Sequence, residues 1–298
     1  MYPKRKINFI FFNFVLICTF ASCEFSDLSP ADVPAYLYIP KINTEVNANG
    51  TQGDSTQQFQ DIWVYAGNDF IGTFGLPAMI PIPKTGNTTL DFEAGITNSG
   101  IDGDRIMYPM MQTYSTQRNL EVTKIDTITP TFKYSDFAKF PFIEDFDGVG
   151  LRFSFNPLYS TAGDTILRIN NDEALVKGRN SGKLQISKSA TAFQMYTTEL
   201  FKLPGFNQPV FWEMSYKSNQ TLVFGYYYFE PNQPSSQPTE VIRLFPTNGK
   251  WNKVYISLNL ELVNKKPNTE FRFFLGLFKG ANTDADVYLD NLKLVYLD

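Results

Sequence analysis

The chain has 298 residues, no histidine, two cysteines and a formal net charge of −4, and its 28 Phe, 16 Tyr and 3 Trp make it 16% aromatic. The missing imidazole excludes Ser-His-Asp and Cys-His catalysis and histidine-ligated zinc or haem, and leaves no side chain that titrates near neutrality unperturbed. Cys18 and Cys23 both fall at the amino terminus, so disulfides and thiolate metal sites in the body of the chain are excluded too.

In chain order, Met1-Tyr2-Pro3-Lys4-Arg5-Lys6 is a basic start, Ile7 to Phe20 is apolar apart from Asn8, Asn13 and Thr19, and Ala21-Ser22-Cys23 follows. This reads as a signal sequence, because the apolar stretch is shorter than the roughly 20 residues of a membrane span and small residues precede the cleavage point. Phe20-Ala21-Ser22-Cys23 resembles a bacterial lipobox. The resemblance implies that residues 1–22 are a lipoprotein signal peptide, removed with Cys18, and that Cys23 carries acyl chains as the first mature residue. Removal takes away three basic residues and no acid, moving the formal charge from −4 to −7. An acidic chain with no basic stripe is not built to neutralise phosphates, so nucleic acid is not an expected partner. Membrane attachment then rests on the lipid anchor, at about 0.8 kcal/mol per buried methylene. Cys23-Glu24-Phe25-Ser26-Asp27-Leu28 resembles the acidic export tag of surface lipoproteins of Bacteroidetes-type bacteria. That implies an outer-membrane, lipid-anchored protein at the cell surface, with a periplasm-facing orientation as the alternative, and residues 23–32 as anchor linker.

Beyond the linker the hydrophobic period is two. Ile62 to Tyr65, Phe211 to Tyr216, Leu222 to Phe229, Val254 to Leu258 and Phe271 to Phe278 are short, rich in β-branched and aromatic residues, and separated by Gly, Pro and Asn. Ala190 to Leu203, with Thr191, Thr197, Thr198 and a Pro204-Gly205 stop, is strand rather than helix. The expectation is an all-β chain of two β-sandwich domains, 33–132 and 140–298, joined by a linker at 133–139. In the first, Asp61 to Phe74 predicts a hairpin turning on Gly67-Asn68, followed by Leu76 to Ile82 and Thr89 to Phe92. That order resembles PEGA-type modules and related immunoglobulin-like sandwiches. Continuing through Gly95-Ile96, Gly100 to Arg105 and Tyr108-Pro109, the segment is similar to the amino-terminal domain of lipid-anchored proteins of the same bacteria, which implies a location but no activity.

The second unit opens on Phe142-Ile143-Glu144-Asp145-Phe146-Asp147-Gly148 and closes on Ala285 to Leu294, with Trp251 and Val254-Tyr255-Ile256 between. It resembles jelly-roll domains of the carbohydrate-binding-module or galactose-binding-like kind. The resemblance makes the first and last strands neighbours and so brings Glu144 and Asp147 within reach of Asp290, hard oxygen ligands that suit a structural Ca²⁺. The competing reading makes them solvated turn residues. Asp284 and Asp286 are weaker candidates.

The catalysis this composition leaves open is carboxylate-based, as in glycoside hydrolases. Glu213 is the one acid flanked by aromatics in a predicted strand, but no second acid faces it by spacing, and a strand glutamate is expected to face solvent or to pair with a lysine such as Lys217. Gly178 to Leu184 fails as a phosphate loop, being one spacer short and lacking the hydroxyl after lysine. Binding is the better-supported chemistry. Strand parity puts Trp212, Met214 and Tyr216 on one face and Phe224, Tyr226 and Tyr228 on one face of the next strand. The candidate sugar platform is Trp212, Tyr216, Tyr226 and Tyr228, with Asn219 and Gln220 fixing orientation. The alternative is that these faces form the core, since parity does not say which face looks outward. Trp251 is assigned to packing. Asp54-Ser55-Thr56, Asp126-Thr127-Ile128 and Asp164-Thr165-Ile166 resemble O-glycosylation acceptors of the same bacteria. The functional expectation is a non-enzymatic envelope protein binding an extracellular glycan or envelope component. The alternative is an assembly component that uses its sheet edges and the Pro231 to Pro238 loop.

Overall fold

The computed structural model describes residues 33–233 and 238–298, so Cys23 and the leader lie outside the described residues. The first half contributes ten strands: β1 (Ala35–Ile39), β2 (Asn43–Glu45), β3 (Asp61–Ala66), β4 (Asp69–Gly75), β5 (Ala78–Ile82), β6 (Gly86–Thr97), β7 (Arg105–Met107), β8 (Tyr114–Leu120), β9 (Ile125–Thr127) and β10 (Thr131–Lys133). β5, β1 and β9 form one sheet, β10 and β2 a parallel pair, and β4-β3-β6-β7 a second sheet with β8 also on β6. The hairpin of β3 and β4 turns on Gly67-Asn68 as predicted, with Gly67 at φ 60, the left-handed conformation that a tight two-residue turn uses. Alternation along β1 and β5 sends Leu37, Ile39, Ile80 and Ile82 inward against Ile62, Val64, Leu90 and Phe92.

The second half supplies β11 (Ala138–Glu144), β12 (Phe153–Phe155), β13 (Thr165–Ile169), β14 (Ser181–Gln185), β15 (Ala192–Thr197), β16 (Phe201–Lys202), β17 (Val210–Ser218) and β18 (Leu222–Phe229). β19 (Thr239–Leu244), β20 (Asn252–Ser257), the one-turn helix α1 (Asn259–Leu262), β21 (Glu270–Phe278) and β22 (Val287–Leu297) complete it. A central sheet runs β13-β14-β22-β17-β20, with β11 also on β22; an outer sheet runs β12-β15-β21-β18-β19, with β16 also on β21. Every pairing in both is antiparallel, and the two sheets close as a jelly-roll-type sandwich over one aromatic core.

The central sheet is buried on both faces. Trp212, Met214, Tyr216, Val254, Ile256 and Leu294 face the outer sheet, whereas Phe211, Tyr255 and Val295 join the core of the first half. All nine residues of β17 are buried as a result. A bulge makes β22 serve both sides: its register on β17 shifts between Glu213 and Ser215, and Asn291 takes φ 49. Val287 and Leu289 thereby point into the sandwich before the bulge and Leu292 and Leu294 after it, leaving Lys293 on the opposite face beside Glu213. The free edge of the central sheet is covered by the first half, since Ser99 N–H donates to Tyr255 O at 2.7 Å and Lys253 N–H donates to Gln58 Oε1 at 2.8 Å.

Candidate functional site

The residues singled out in the sequence as a sugar platform point into the sandwich. Trp212 is 2% exposed, stacked on Phe142 at 5.3 Å and tilted against Phe224 and Phe273 at 5.1 and 5.2 Å. Tyr216 and Tyr226 are buried, their hydroxyls donating to Phe245 O and Glu261 Oε2, and Tyr228 packs partly buried against the same core with Lys265 Nζ 3.7 Å from its ring centroid. The platform expectation is corrected at these four positions. The physical reason is that β17 lies between two layers, and that β18 carries aromatics on both its faces.

Glu213 is corrected as well. It is fully buried where the two halves meet and does not reach Lys217, which pairs with Glu173. Tyr108 and Tyr134 hydroxyls donate to Glu213 Oε1 at 2.6 and 2.8 Å, and Lys253 Nζ lies 3.0 Å from Oε2. Burial alone would raise its pKa, but the charges of Lys253 and Lys293 and the two tyrosine hydrogen bonds hold the carboxyl down to about 2. Lys293 is pushed down to about 8 by burial and by Lys253, with Glu213 and Asp54 opposing. A carboxylate enclosed in this way holds the two halves together and has no access to substrate.

Glu144, Asp147 and Asp290 each have other partners. Glu144 accepts from the N–H groups of Phe146 and Arg152, both at 2.9 Å. Asp147 pairs with Arg179 at 2.8 Å and accepts from Asn180 N–H at 2.9 Å. Asp290 accepts from Ser181 Oγ at 2.6 Å and Asn291 N–H at 2.7 Å, with no cation paired to it, and burial first among several causes raises it to about 7. Among the described residues no group of three His, Cys, Asp or Glu is placed to hold a metal ion.

The open aromatic surface is the other face of the outer sheet. Along β18 the even residues Leu222, Phe224 and Tyr226 fill the core, so Val223, Gly225, Tyr227 and Phe229 take the solvent side. The same parity puts Gln194 and Tyr196 of β15 and Arg272, Phe274, Gly276 and Phe278 of β21 on that side. A side-chain network holds its middle: Tyr227 OH and Asn156 Nδ2 both donate to Gln194 Oε1, at 2.8 and 2.6 Å, and Asn156 Nδ2 also approaches Tyr227 OH at 3.2 Å. Burial raises the Tyr227 pKa, so its hydroxyl remains a donor across the neutral range. Tyr227 and Phe274 rings sit 5.5 Å apart, and Tyr159 meets Phe278 edge-on at 6.5 Å.

Two strand glycines shape this face. A Cβ at Gly225 would collide with Thr239 O and the Phe274 ring, and one at Gly276 would lie 2.9 Å from Phe193 O. Without those side chains a hollow of about 150 Å³ opens, lined by Tyr159, Gln194, Val223, Glu240, Phe274 and Phe278 among others. Phe278, 68% exposed, stands at its rim. The signal for this face was present in Tyr226-Tyr227-Tyr228 and in the Gly276 interruption of β21, but the strand pattern gave both parities an aromatic set.

No protein-family model and no curated protein matches the chain. Among solved structures it is similar to a xylan-binding domain from carbohydrate-binding module family 22, at 12% identity and TM-score 0.35 over 52% of this chain and 93% of that one. It is also similar to the CBM22-1 xylan-binding domain from Paenibacillus barcinonensis Xyn10C (12%, TM-score 0.39, 55% and 98%). A third is the family 11 carbohydrate-binding module of a Clostridium thermocellum cellulosomal cellulase (14%, TM-score 0.35, 53% and 94%). At these scores the architecture is carried by the strand order described above.

Proposed function

We propose that the chain is a non-catalytic glycan-binding protein of the bacterial envelope, anchored by acyl groups on Cys23 and offering the outer face of its outer sheet to sugar. The observation that carries this reading is that face itself. Rings of Tyr196, Tyr227 and Phe278 are available for the C–H faces of a pyranose, and Asn156, Gln194 and Tyr227 are already locked by mutual hydrogen bonds beside a hollow of about 150 Å³. Polar groups fixed before binding lose little rotamer freedom when a ligand arrives. The deciding experiment is a glycan array with the mature protein, repeated with Tyr227→Ala. Retention of a glycan by the wild type and its loss in the variant, at unchanged melting temperature, is the expected result. A blank array, or one the substitution leaves intact, would remove the reading. The anchor is tested separately by fatty-acid labelling, which Cys23→Ala should abolish.

A second reading, an assembly component of the envelope, is favoured by a groove of about 820 Å³ at the junction of the halves. There Ser99, Ile101 and Asp102 face Phe245, Asn248 and Trp251, with Phe245 74% and Ile101 55% exposed. It predicts co-purifying envelope proteins lost on Phe245→Asp while glycan binding, if present, is retained.

A further inference from the structure

On the open face of the outer sheet one arginine stands without a protein acceptor among the described residues. Six others have an ion-pair partner or a protein acceptor: Arg105 has Asp61, Arg152 has Glu199, Arg179 has Asp147, Arg243 has Glu240, Arg168 donates to Gly150 O, and Arg118 lies 3.7 Å from Asp126, an ion pair without a hydrogen bond at its Nε. Arg272 has neither a hydrogen bond nor an ion pair, and its Nε is buried with no partner. Its guanidinium is held by rings instead, with Cζ 5.0 Å from the Tyr196 centroid and 5.7 Å from that of Phe229. Arg272 pairs across strands with Tyr227, so it adjoins the Asn156–Tyr227–Gln194 network on the same face.

The spare hydrogen-bonding capacity here is therefore on the donor side. Gln194 Oε1 already accepts two hydrogen bonds while its Nε2 donates to none of the described residues, and the guanidinium keeps all its N–H groups. Of the carboxylates sharing this side, Glu240 is paired to Arg243 at 2.6 Å. Glu270, two positions along β21 from Arg272, lies directly opposite Lys202 and within ion-pair distance of no arginine or lysine among the described residues. Lys202 and Arg272 thus outnumber the one unpaired acid. A guanidinium held between two aromatic rings has lost part of its rotamer freedom and hydration, and its planar fork matches the two oxygens of a carboxylate.

We infer that this face takes a carboxylate-bearing saccharide, a uronate residue within a polysaccharide, with Arg272 receiving the carboxylate while Tyr196 and Tyr227 flank the ring. The inference rests on the glycan-binding reading and deepens it by naming the ligand class. Affinity electrophoresis of the mature protein through gels containing polygalacturonate, alginate, neutral galactan, neutral mannan or dextran sulfate tests it. The wild type should be retarded by a polyuronate and released as NaCl is raised. Arg272→Gln, which retains most of the side chain's length over the rings, should bind that polyuronate at least tenfold more weakly, Arg272→Lys should fall between, and Glu270→Gln should bind it more tightly. Thermal melts of each variant separate lost binding from lost folding. Retardation by a neutral glycan that Arg272→Gln leaves unchanged would overturn the uronate assignment and leave glycan binding standing. Retardation by dextran sulfate without the polyuronates would overturn the carboxylate assignment, and no retardation in any gel would remove the glycan reading itself.

Discussion

The central and outer sheets carry the same kinds of side chain on the faces they turn away from each other: aromatic rings, a few amides and isolated charges. Their fates are opposite. On the central sheet that face is covered by the first half of the chain, and the charges at its centre are answered, Glu213 by Lys253 and two tyrosines and Lys293 Nζ by Asp54 O at 3.1 Å, whereas Asp290 farther along β22 is buried without a cation. On the outer sheet the corresponding face is open, its amides are cross-linked to one another, and its arginine is left with rings for company. The covered face is thus a junction whose central charges are paired internally, and the open face, with Arg272 unpaired, is the one proposed to bind. The composition of the two faces does not distinguish them; the pairing of their central charges does.

The largest expected effect breaks the covered face. Glu213→Ala leaves Lys253 and Lys293 buried without their anion, and should cost about 3–5 kcal/mol, a fall of roughly 10 °C in melting temperature for a chain of this size. The pH dependence has a definite sign. The Glu213 pKa is depressed from 4.5 to about 2 in the folded state, so its contribution is full above 4.5 and is lost as pH falls toward 2. Urea titrations of wild type and variant from pH 7 to pH 2 should converge at the acid end.

Next in size is Asp290, a buried acid on the covered side with no cation beside it. Its folded pKa is raised from 3.8 to about 7, so stability present below 3.8 is lost as pH rises through 7. Asp290→Asn should therefore be more stable than wild type at pH 8, by roughly 3 kcal/mol, with the advantage shrinking to nothing toward pH 4. A constant difference across that range would show that Asp290 is neutralised by a partner instead.

Smaller effects belong to the open face. Tyr227→Ala should weaken glycan retention at least tenfold, about 1.4 kcal/mol, while shifting the melting temperature by no more than about 2 °C. Trp212→Ala should do the reverse, unfolding the protein by about 3–5 kcal/mol through its cavity among Phe142, Phe224 and Phe273. Phe278→Ser, at a rim 68% exposed, should change stability by less than about 0.5 kcal/mol and affect retention alone.

Much of this architecture was legible in the sequence. The Leu222 to Phe229 reading coincides with β18, the Gly67-Asn68 turn closes β3 on β4, and the Ala190 to Leu203 segment is strand in β15 and β16. What period two cannot say is which parity faces outward when both are aromatic, and Tyr226-Tyr227-Tyr228 serves both sides of β18. The role of Glu213 was hidden for a related reason. Its partners come from Tyr108, Tyr134, Lys253 and Lys293, 40 to 105 residues away, and a bulge at Asn291 that alternation does not encode aims Lys293 at it. The arginine that the open face leaves unpaired is visible only once every other arginine among the described residues has been assigned its partner.

The open face of the outer sheet is the proposed binding surface. The most direct measurement is a side-by-side calorimetric titration of wild type and Tyr227→Ala with a glycan retained on the array, both proteins having matching melts. The account predicts a saturable isotherm for the wild type and at least a tenfold weaker one for the variant. Equal isotherms for the two proteins would contradict it and move the search to the junction groove.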